Sequence, residues 1–179
     1  SLCCLPAGFF NVIGAEVLGF DFDGKNGLAV SFFMAFCVVG LGEELSKYIV
    51  LVLYALRKPS FNEPFDGIVY AVMISLGFAA LENVFYVQDG GLGVALARMF
   101  TAVPMHAACG VLMGYQVGLA KFMNESVRTN ISLKGLFLAA FFHGAYDFVL
   151  FQNSSVLLTF LVFPIMIWTL VLSRKAMRL

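Results

Sequence analysis

The chain between residues 28 and 56 reads LAVSFFMAFCVVGLGEELSKYIVLVLYAL, an apolar run long enough to cross the hydrocarbon core of a bilayer. Midway through this run Glu43 and Glu44 stand side by side, and Lys47 follows one helical turn later. An ionised side chain at the centre of a membrane helix costs about 2.5–3.5 kcal/mol on insertion scales. The charged residues therefore indicate either a functional site inside the membrane or an internal ion pair that joins helices.

Composition extends this conclusion to the whole chain. Of its 179 residues, 61% are hydrophobic and 12% are charged, which is far from the composition of soluble domains. We predict an all-α polytopic transmembrane bundle, because the alternation typical of membrane strands is absent. We expect residues 1–179 to form one integral membrane domain. Six spans of about 20 residues each are predicted, near residues 2–20, 29–56, 67–87, 92–119, 134–151 and 154–173.

The distribution of lysine and arginine predicts how the bundle lies across a cell membrane. Positive residues follow the second and fourth predicted spans and occupy the C-terminal tail, whereas the opposite loops carry only Lys25, with Arg98 just inside the fourth span. By the positive-inside rule, both termini face the cytoplasm. The formal net charge is zero and no basic stretch is present, so we expect contact with lipid and none with nucleic acid.

Both histidines of the chain lie in predicted spans. His106 is in the fourth span, and His143 shares a helix face with Asp147 in the fifth. Counting about 1.5 Å per residue along each helix places the two histidines at a depth similar to that of Glu44. We therefore expect these groups to meet in one intramembrane site.

Other intramembrane polar residues are candidates for supporting this site. Glu82 and Tyr86 share a face of the third span, where they could form a buried hydrogen bond. Arg98 is either an anchor at the membrane face or a partner for Glu82. We count Lys47 with these three as supporting residues.

Four motifs resemble the PrsW branch of intramembrane proteases, which shares a superfamily with the CAAX-prenyl endopeptidases and the bacteriocin-processing Abi proteins. They are EELSK at 43–47, GFAALENVFY at 77–86, Arg98 followed by His106, and HGAYD at 143–147. Each motif is weak alone, but four in this order on four successive spans are specific. The resemblance implies a helical bundle with its catalytic centre inside the membrane. It also implies cleavage of a membrane-anchored protein, which in PrsW-type cases is a single-pass anti-sigma factor cut on its extracytoplasmic side.

The same resemblance implies roles for the residues. Glu43, with Glu44 beside it, would be the base that activates water, His106 would help to hold that water, and His143 would stabilise the oxyanion. The prenyl-protease branch has asparagine where this chain has Asp147, and a carboxylate would repel an oxyanion. We therefore expect Asp147 to orient His143, and this departure disfavours a prenylated substrate.

Side chains of these types can supply the base, the oxyanion donor and the proton that peptide hydrolysis needs, so we predict no metal or other cofactor. A zinc protease is an alternative, because His106, His143 and Glu43 form a plausible ligand set, although an H-E-x-x-H motif is absent. A proton-coupled transporter or channel would also place acids and histidines inside the membrane, although we find no internal repeat. A non-catalytic scaffold is the remaining alternative.

Overall fold

The computed structural model describes residues 4–21, 26–152 and 160–178, and every regular element within these ranges is helical. The elements in chain order are α1 (Cys4–Leu18), α2 (Leu28–Phe32), a π-helix (Phe33–Gly40), α3 (Leu41–Leu53), a 3₁₀ turn (Ala55–Arg57), α4 (Pro64–Phe100), α5 (Ala102–Lys121), α6 (Glu125–Phe151) and α7 (Val162–Ala176). The predicted all-α fold is confirmed.

Three helical stretches of the described chain are long and apolar enough to cross a membrane, namely Leu28–Arg57, Pro64–Gln88 and Glu125–Phe151. A fourth candidate is a bent pair, Gly90–Phe100 and Ala102–Lys121, whose axes differ by 42°. Helices α1 and α7 have 15 residues each, or about 22 Å of helix, which is shorter than the hydrocarbon core of about 30 Å. Six spans are therefore not confirmed, and the start of the sixth predicted span lies outside the described residues.

Two predicted boundaries on α4 and α5 differ from the structure. The predicted loop at 88–91 is helical except at Gly91, whose φ of 74° lies in the left-handed region that glycine adopts at little cost. The predicted span 92–119 is broken instead at Thr101, where α4 ends and α5 begins. A single glycine thus redirects the chain here without a loop, because it can reverse its φ angle between two helical turns.

Helix α6 begins earlier than the hydropathy pattern predicts. It starts at Glu125, inside the predicted loop at 121–133, and its first residues are exposed. An acidic residue in the first turn is favourable at a helix N-terminus, and a helix can continue past the apolar segment where its side chains are polar. Hydropathy alone therefore marks the apolar part of α6 and misses its polar start.

Close contact between α4 and α5 places the histidine of α5 against α4. A Cβ atom on Gly114 would overlap the carbonyl oxygen of Gly67, and one on Gly110 would lie 2.8 Å from Ser75 Oγ. Small residues at such crossings allow helix backbones to approach closely in membranes. His106 lies one turn before Gly110, so this contact brings it to the surface of α4.

A second pair of glycines joins the π-helix to α6. A Cβ atom on Gly40 would lie 2.9 Å from the amide nitrogen of Gly144, and one on Gly144 would lie 2.7 Å from Phe36 Cδ1. Neither position has space for a side chain. Gly144 follows His143 directly and Gly40 lies just before Glu43, so this contact sets the distance between the acids of α3 and the histidine of α6. Short π-helical segments within α-helices are frequent at functional sites, and here the eight-residue segment ends three residues before Glu43.

Candidate active site

Polar side chains from α3, α4, α5 and α6 meet in one cluster. Its members are Glu43, Glu44 and Lys47 on α3, Glu82 on α4, His106 on α5, and His143 and Asp147 on α6. The α3 members and both histidines each expose 5% or less of their surface, and Asp147 exposes 9%. The structure therefore brings together all the residues that the sequence suggested for catalysis.

Lys47 is the cation that links the acids to a histidine. Its Nζ lies 2.6 Å from Glu44 Oε1 and 4.0 Å from Glu43 Oε2, and it donates a hydrogen bond to His106 Nδ1 at 2.9 Å. It also lies 4.4 Å from the centre of the Phe78 ring. A buried charge is tolerated only when it is paired and hydrogen-bonded, so the internal ion pair considered from the sequence is part of the site.

His143 has a carboxylate beside each ring nitrogen. Its Nδ1 lies 2.8 Å from Glu44 Oε1, whereas its Nε2 lies 3.3 Å from Asp147 Oδ2 and 3.7 Å from Glu43 Oε2. Of the three carboxylates, Glu44 therefore makes the shortest contact with His143, and it does so at Nδ1, the nitrogen that points away from Glu43. Asp147 lies at the same nitrogen as Glu43, on the side where the two acids converge.

Glu82 connects α4 to the cluster through His106. Its Oε2 lies 3.0 Å from His106 Nε2 and 2.8 Å from Arg98 Nη2. The guanidinium of Arg98 lies over the Tyr86 ring, 3.7 Å from its centre, and Arg98 Nε donates to Asn83 Oδ1 at 3.2 Å. Of the two roles considered for Arg98, the contacts support the partner of Glu82.

A cavity of about 310 Å³ lies beside the cluster. Apolar side chains such as Val39, Met105 and Leu150 form part of its wall. Its polar lining consists of Asn11, Glu43, Glu82, Tyr86, Arg98, His106, His143, Tyr146 and Asp147. An apolar wall with a few convergent polar groups is typical of a pocket that binds a ligand.

Two cavity residues were not singled out from the sequence. Asn11 on α1 donates from Nδ2 to Glu43 Oε1 at 3.2 Å. Tyr146 on α6, which precedes Asp147 in the sequence, also lines the cavity. Asn11 could have been noticed as an amide in an apolar run, because a buried amide needs a hydrogen-bond partner. Tyr146 lies within the HGAYD motif at 143–147, but the sequence indicates no role for it, since tyrosine is common in apolar helices.

Three side chains of the cluster fit a divalent metal ion. Glu43, His106 and His143 each offer one ligand atom, and these atoms lie within 4.8 Å of one another. Two imidazoles and one carboxylate are a donor set of catalytic zinc sites. Glu43 Oε2 is buried and has no hydrogen-bond partner in the described chain. Both nitrogens of His106 have a neighbour, Lys47 at Nδ1 and Glu82 at Nε2, so a metal ion would replace one of these contacts.

The charge balance of the cluster is compatible with a divalent cation. The acids are Glu43, Glu44, Glu82 and Asp147, and the cations are Lys47 and Arg98. With all of them ionised, the acids exceed the cations by two charges. Uncompensated charge in a buried site is costly, so either two protons on the cluster or one divalent ion would balance this excess.

Comparison with known proteins points to the same chemistry. Residues 2–172 match the model of a family described as PrsW family intramembrane metalloprotease. The chain is 36% identical over 138 residues to Protease PrsW of Bacillus subtilis (strain 168), covering 77% of this chain and 63% of that protein. It is 34% identical over 164 residues to Protease PrsW of Shouchella clausii (strain KSM-K16), covering 91% of this chain and 76% of that protein.

The relative from Oceanobacillus iheyensis, also named Protease PrsW, is 36% identical over 143 residues, with 80% of this chain and 66% of that protein covered. The chain thus spans slightly less than two thirds of the length of the Bacillus and Oceanobacillus relatives. No solved structure matches the chain.

These findings overturn the prediction that the protein uses no cofactor. The matching family is one of metalloproteases, and the structure contains a ligand cluster of Glu43, His106 and His143. The prediction failed because each of these residues lies on a different helix. Ligands on separate helices leave no short spacing motif in the sequence, so the metal-free mechanism was preferred to the zinc alternative that uses the same three residues.

Proposed function

The chain belongs to the PrsW family of intramembrane metalloproteases, and on this basis we propose that it hydrolyses peptide bonds of membrane-anchored proteins at a metal site inside the membrane. The observation that carries the proposal is the grouping of Glu43, His106 and His143, with ligand atoms within 4.8 Å of one another. This group borders a cavity of about 310 Å³, within the size range of small ligand pockets. The stretches that carry Glu43, Glu82 and His143 are each long and apolar enough to span a membrane, and His106 lies in the bent pair that is the fourth candidate.

We assign zinc to this site, because two histidines and a carboxylate are a ligand set of catalytic zinc. When bound, the ion would supply a Lewis acid that activates water and polarises the carbonyl to be cleaved. Glu44 and Glu82 orient the ligands: Glu44 contacts His143 Nδ1 at 2.8 Å, and Glu82 contacts His106 Nε2 at 3.0 Å. A carboxylate on the second nitrogen fixes the ring orientation and the tautomer of a metal-binding histidine.

Asp147 is the carboxylate that we assign to proton transfer. Its Oδ2 is buried, lies 3.3 Å from His143 Nε2, and has no hydrogen-bond partner in the described chain. Glu44 and Glu82 are engaged with histidines, and Glu43 is assigned to the metal. Asp147 therefore remains to take a proton from the attacking water and deliver it to the leaving amine. This assignment replaces the base role expected of Glu43 and the orienting role expected of Asp147.

The substrate that we propose is a single-pass membrane protein of the anti-sigma-factor type, cut on its extracytoplasmic side, as the sequence motifs imply. The position of the site supports this side of the membrane. Counting about 1.5 Å per residue, Glu82 lies about 27 Å along α4 from Pro64. It is therefore remote from the loop with Arg57 and Lys58, which we expect on the cytoplasmic side.

Cleavage in proteoliposomes tests the proposal. The purified protein should cut a candidate single-pass substrate, lose this activity after exhaustive chelation with phenanthroline, and regain it when zinc is added. Glu43→Gln should abolish both zinc binding and cleavage, because an amide is a poor zinc ligand. Glu125→Gln makes the same change at an exposed residue and serves as the matched control. Full activity of a chelated, zinc-free protein would contradict the proposal.

A further inference from the structure

We infer that Asn11 of α1 is a positioning residue that holds Glu43 in the orientation in which it binds the metal. The inference rests on the proposed metal site and assigns a role to a helix that supplies none of the proposed ligands. Asn11 Nδ2 donates a hydrogen bond to Glu43 Oε1 at 3.2 Å. The other oxygen, Oε2, is the one that faces His143 Nε2, at 3.7 Å, and Lys47 Nζ, at 4.0 Å. Asn11 thus engages one carboxylate oxygen while the second faces the ligand cluster.

Glu43 is held by fewer hydrogen bonds than its neighbour Glu44, so the contact with Asn11 matters more for its orientation. Glu44 is held by Lys47 at 2.6 Å and by His143 at 2.8 Å. In the described chain, the bond from Asn11 is the hydrogen bond that Glu43 receives, and Oε2 has none. Without it, no hydrogen bond within the described chain would fix the orientation of the buried Glu43 carboxylate, since the remaining contacts with Lys47 and His143 are longer than hydrogen bonds.

Packing alone does not account for an amide at this position. Asn11 Oδ1 is buried and has no hydrogen-bond partner among the described residues, which is unfavourable for a polar atom. The amide nitrogen Nδ2 must face the Glu43 carboxylate, because an amide flipped by 180° would place its oxygen, also an acceptor, against the carboxylate oxygen. An apolar side chain of the same size would avoid the unpaired oxygen, but it could not hold Glu43.

Helix α1 is placed firmly enough for this role. A Cβ atom on Gly14 would overlap the side chain of Val38, so α1 lies directly on the π-helix. Ala15 is buried in the same contact region. Asn11 lies one turn before these residues and therefore has a fixed approach to Glu43.

Zinc binding to the purified protein in detergent, measured by competition with a chromogenic chelator, tests the inference. Asn11→Leu keeps the size of the side chain and removes both hydrogen-bonding groups, so zinc affinity should fall about 10- to 100-fold, as for other residues that orient metal ligands. Asn11→Gln keeps the amide and should restore most of the affinity. Saturating zinc should recover much of the cleavage rate of Asn11→Leu, because the metal then selects the binding orientation of Glu43.

Val12→Leu is the matched control, since Val12 is the next residue on α1 and is 61% exposed. It should bind zinc as the wild type does. The melting temperature of the metal-free proteins reports folding, and Asn11→Ala replaces the leucine variant if that variant does not fold.

Wild-type zinc affinity in Asn11→Leu or Asn11→Ala would overturn the inference. So would equal loss in Asn11→Leu and Asn11→Gln together with an equal fall in metal-free melting temperature, which would indicate packing alone. A wild type that binds no zinc would overturn both this inference and the proposed metal site. A wild type that binds zinc but cleaves no substrate would overturn only the proposed activity, and the affinity comparison would still decide the role of Asn11.

Discussion

Glu44 and Asp147 contact the same imidazole through different nitrogens, so their substitutions should have different effects. Glu44→Gln weakens the contact that fixes His143 at Nδ1, which is 2.8 Å long in the native site. We expect zinc affinity to fall about 10- to 100-fold, as when other carboxylates behind metal-binding histidines are changed. The chelator competition assay measures this loss. Unchanged affinity would show that Glu44 does not orient the ligand.

Asp147→Asn should separate metal binding from chemistry. Asparagine keeps the volume of the side chain but cannot take up a proton, so the cleavage rate should fall by about 10²- to 10⁴-fold, the typical contribution of a general acid–base group. Zinc should remain bound with wild-type stoichiometry. Loss of zinc together with activity would make Asp147 a fourth ligand, and near wild-type activity would return it to an orienting role.

The members of the site could be predicted from the sequence because charge inside a membrane is expensive and therefore conspicuous. Glu43, Glu44, His106, His143 and Asp147 stand out in apolar runs, and all of them meet. Their pairing could not be predicted, because it depends on which ring nitrogen and which carboxylate oxygen face each other across helices. The choice between a metal-free site and the zinc alternative could not be made for the same reason, since the three ligands are close in space and distant in sequence.

At the scale of the elements, the contact between the π-helix and α6 controls the alignment of the site. Gly144→Ala would place a Cβ against Phe36, 2.7 Å from its ring, and push α6 away from the acids of α3. A displacement of about 1 Å at reacting groups can cost about 10²-fold in rate. We therefore expect a loss of this size in cleavage rate.

Gly77→Ala provides the matched control for Gly144→Ala. Gly77 is also inside a helix, and a Cβ there would meet nothing within 4 Å. Alanine is about 0.5–1 kcal/mol more favourable than glycine in a helix interior, so this variant should be at least as stable as the wild type and fully active. Equal activity of the two variants would show that Phe36 moves aside and that Gly144 does not set the spacing.

The elements themselves were only partly predictable. Long apolar runs identified the spans around α3, α4 and α6, because hydropathy and length report membrane helices directly. The π-helix at Phe33–Gly40 leaves no pattern in a uniformly apolar run. The sequence predicts a loop at Gly91, since glycine is typical both of loops and of kinks between helical turns.

For the whole molecule, the topology depends on the bent pair formed by the end of α4 (Gly90–Phe100) and by α5 (Ala102–Lys121). If this pair crosses the membrane, the loops at 58–63 and 122–124 lie on the same, cytoplasmic side, as their positive flanks predict. If it turns back, they lie on opposite sides. Cysteines introduced singly at Ser60, Leu92 and Asn124 in a cysteine-free background distinguish the two arrangements.

We expect Ser60→Cys and Asn124→Cys to react with an impermeant maleimide only in inverted vesicles. Leu92→Cys should react only in right-side-out vesicles, because one span separates it from Ser60. The three positions are exposed in the structure, so absence of labelling reflects the membrane. Labelling of positions 92 and 124 from the same side would show a re-entrant pair and contradict the predicted orientation.

The ion pair between Glu44 and Lys47 also has a consequence for how the protein is made. Both residues lie within the helical stretch Leu28–Arg57, so their pairing needs no other part of the chain and is available before the ribosome has synthesised His106. A carboxylate followed one turn later by lysine is a favourable pair within one helix. We therefore expect the translocon to receive a segment in which one of the two acids is already balanced.

Exchanging Leu45 and Lys47 keeps the composition and nearly the depth of the charges but turns the lysine away from Glu44. In a translation assay with microsomes, the isolated segment 28–57 carrying this exchange should insert less often than the native segment. Equal insertion would show that the pair forms only after the other helices have arrived. The same lysine that later contacts the histidine of α5 would thus first assist its own helix into the bilayer.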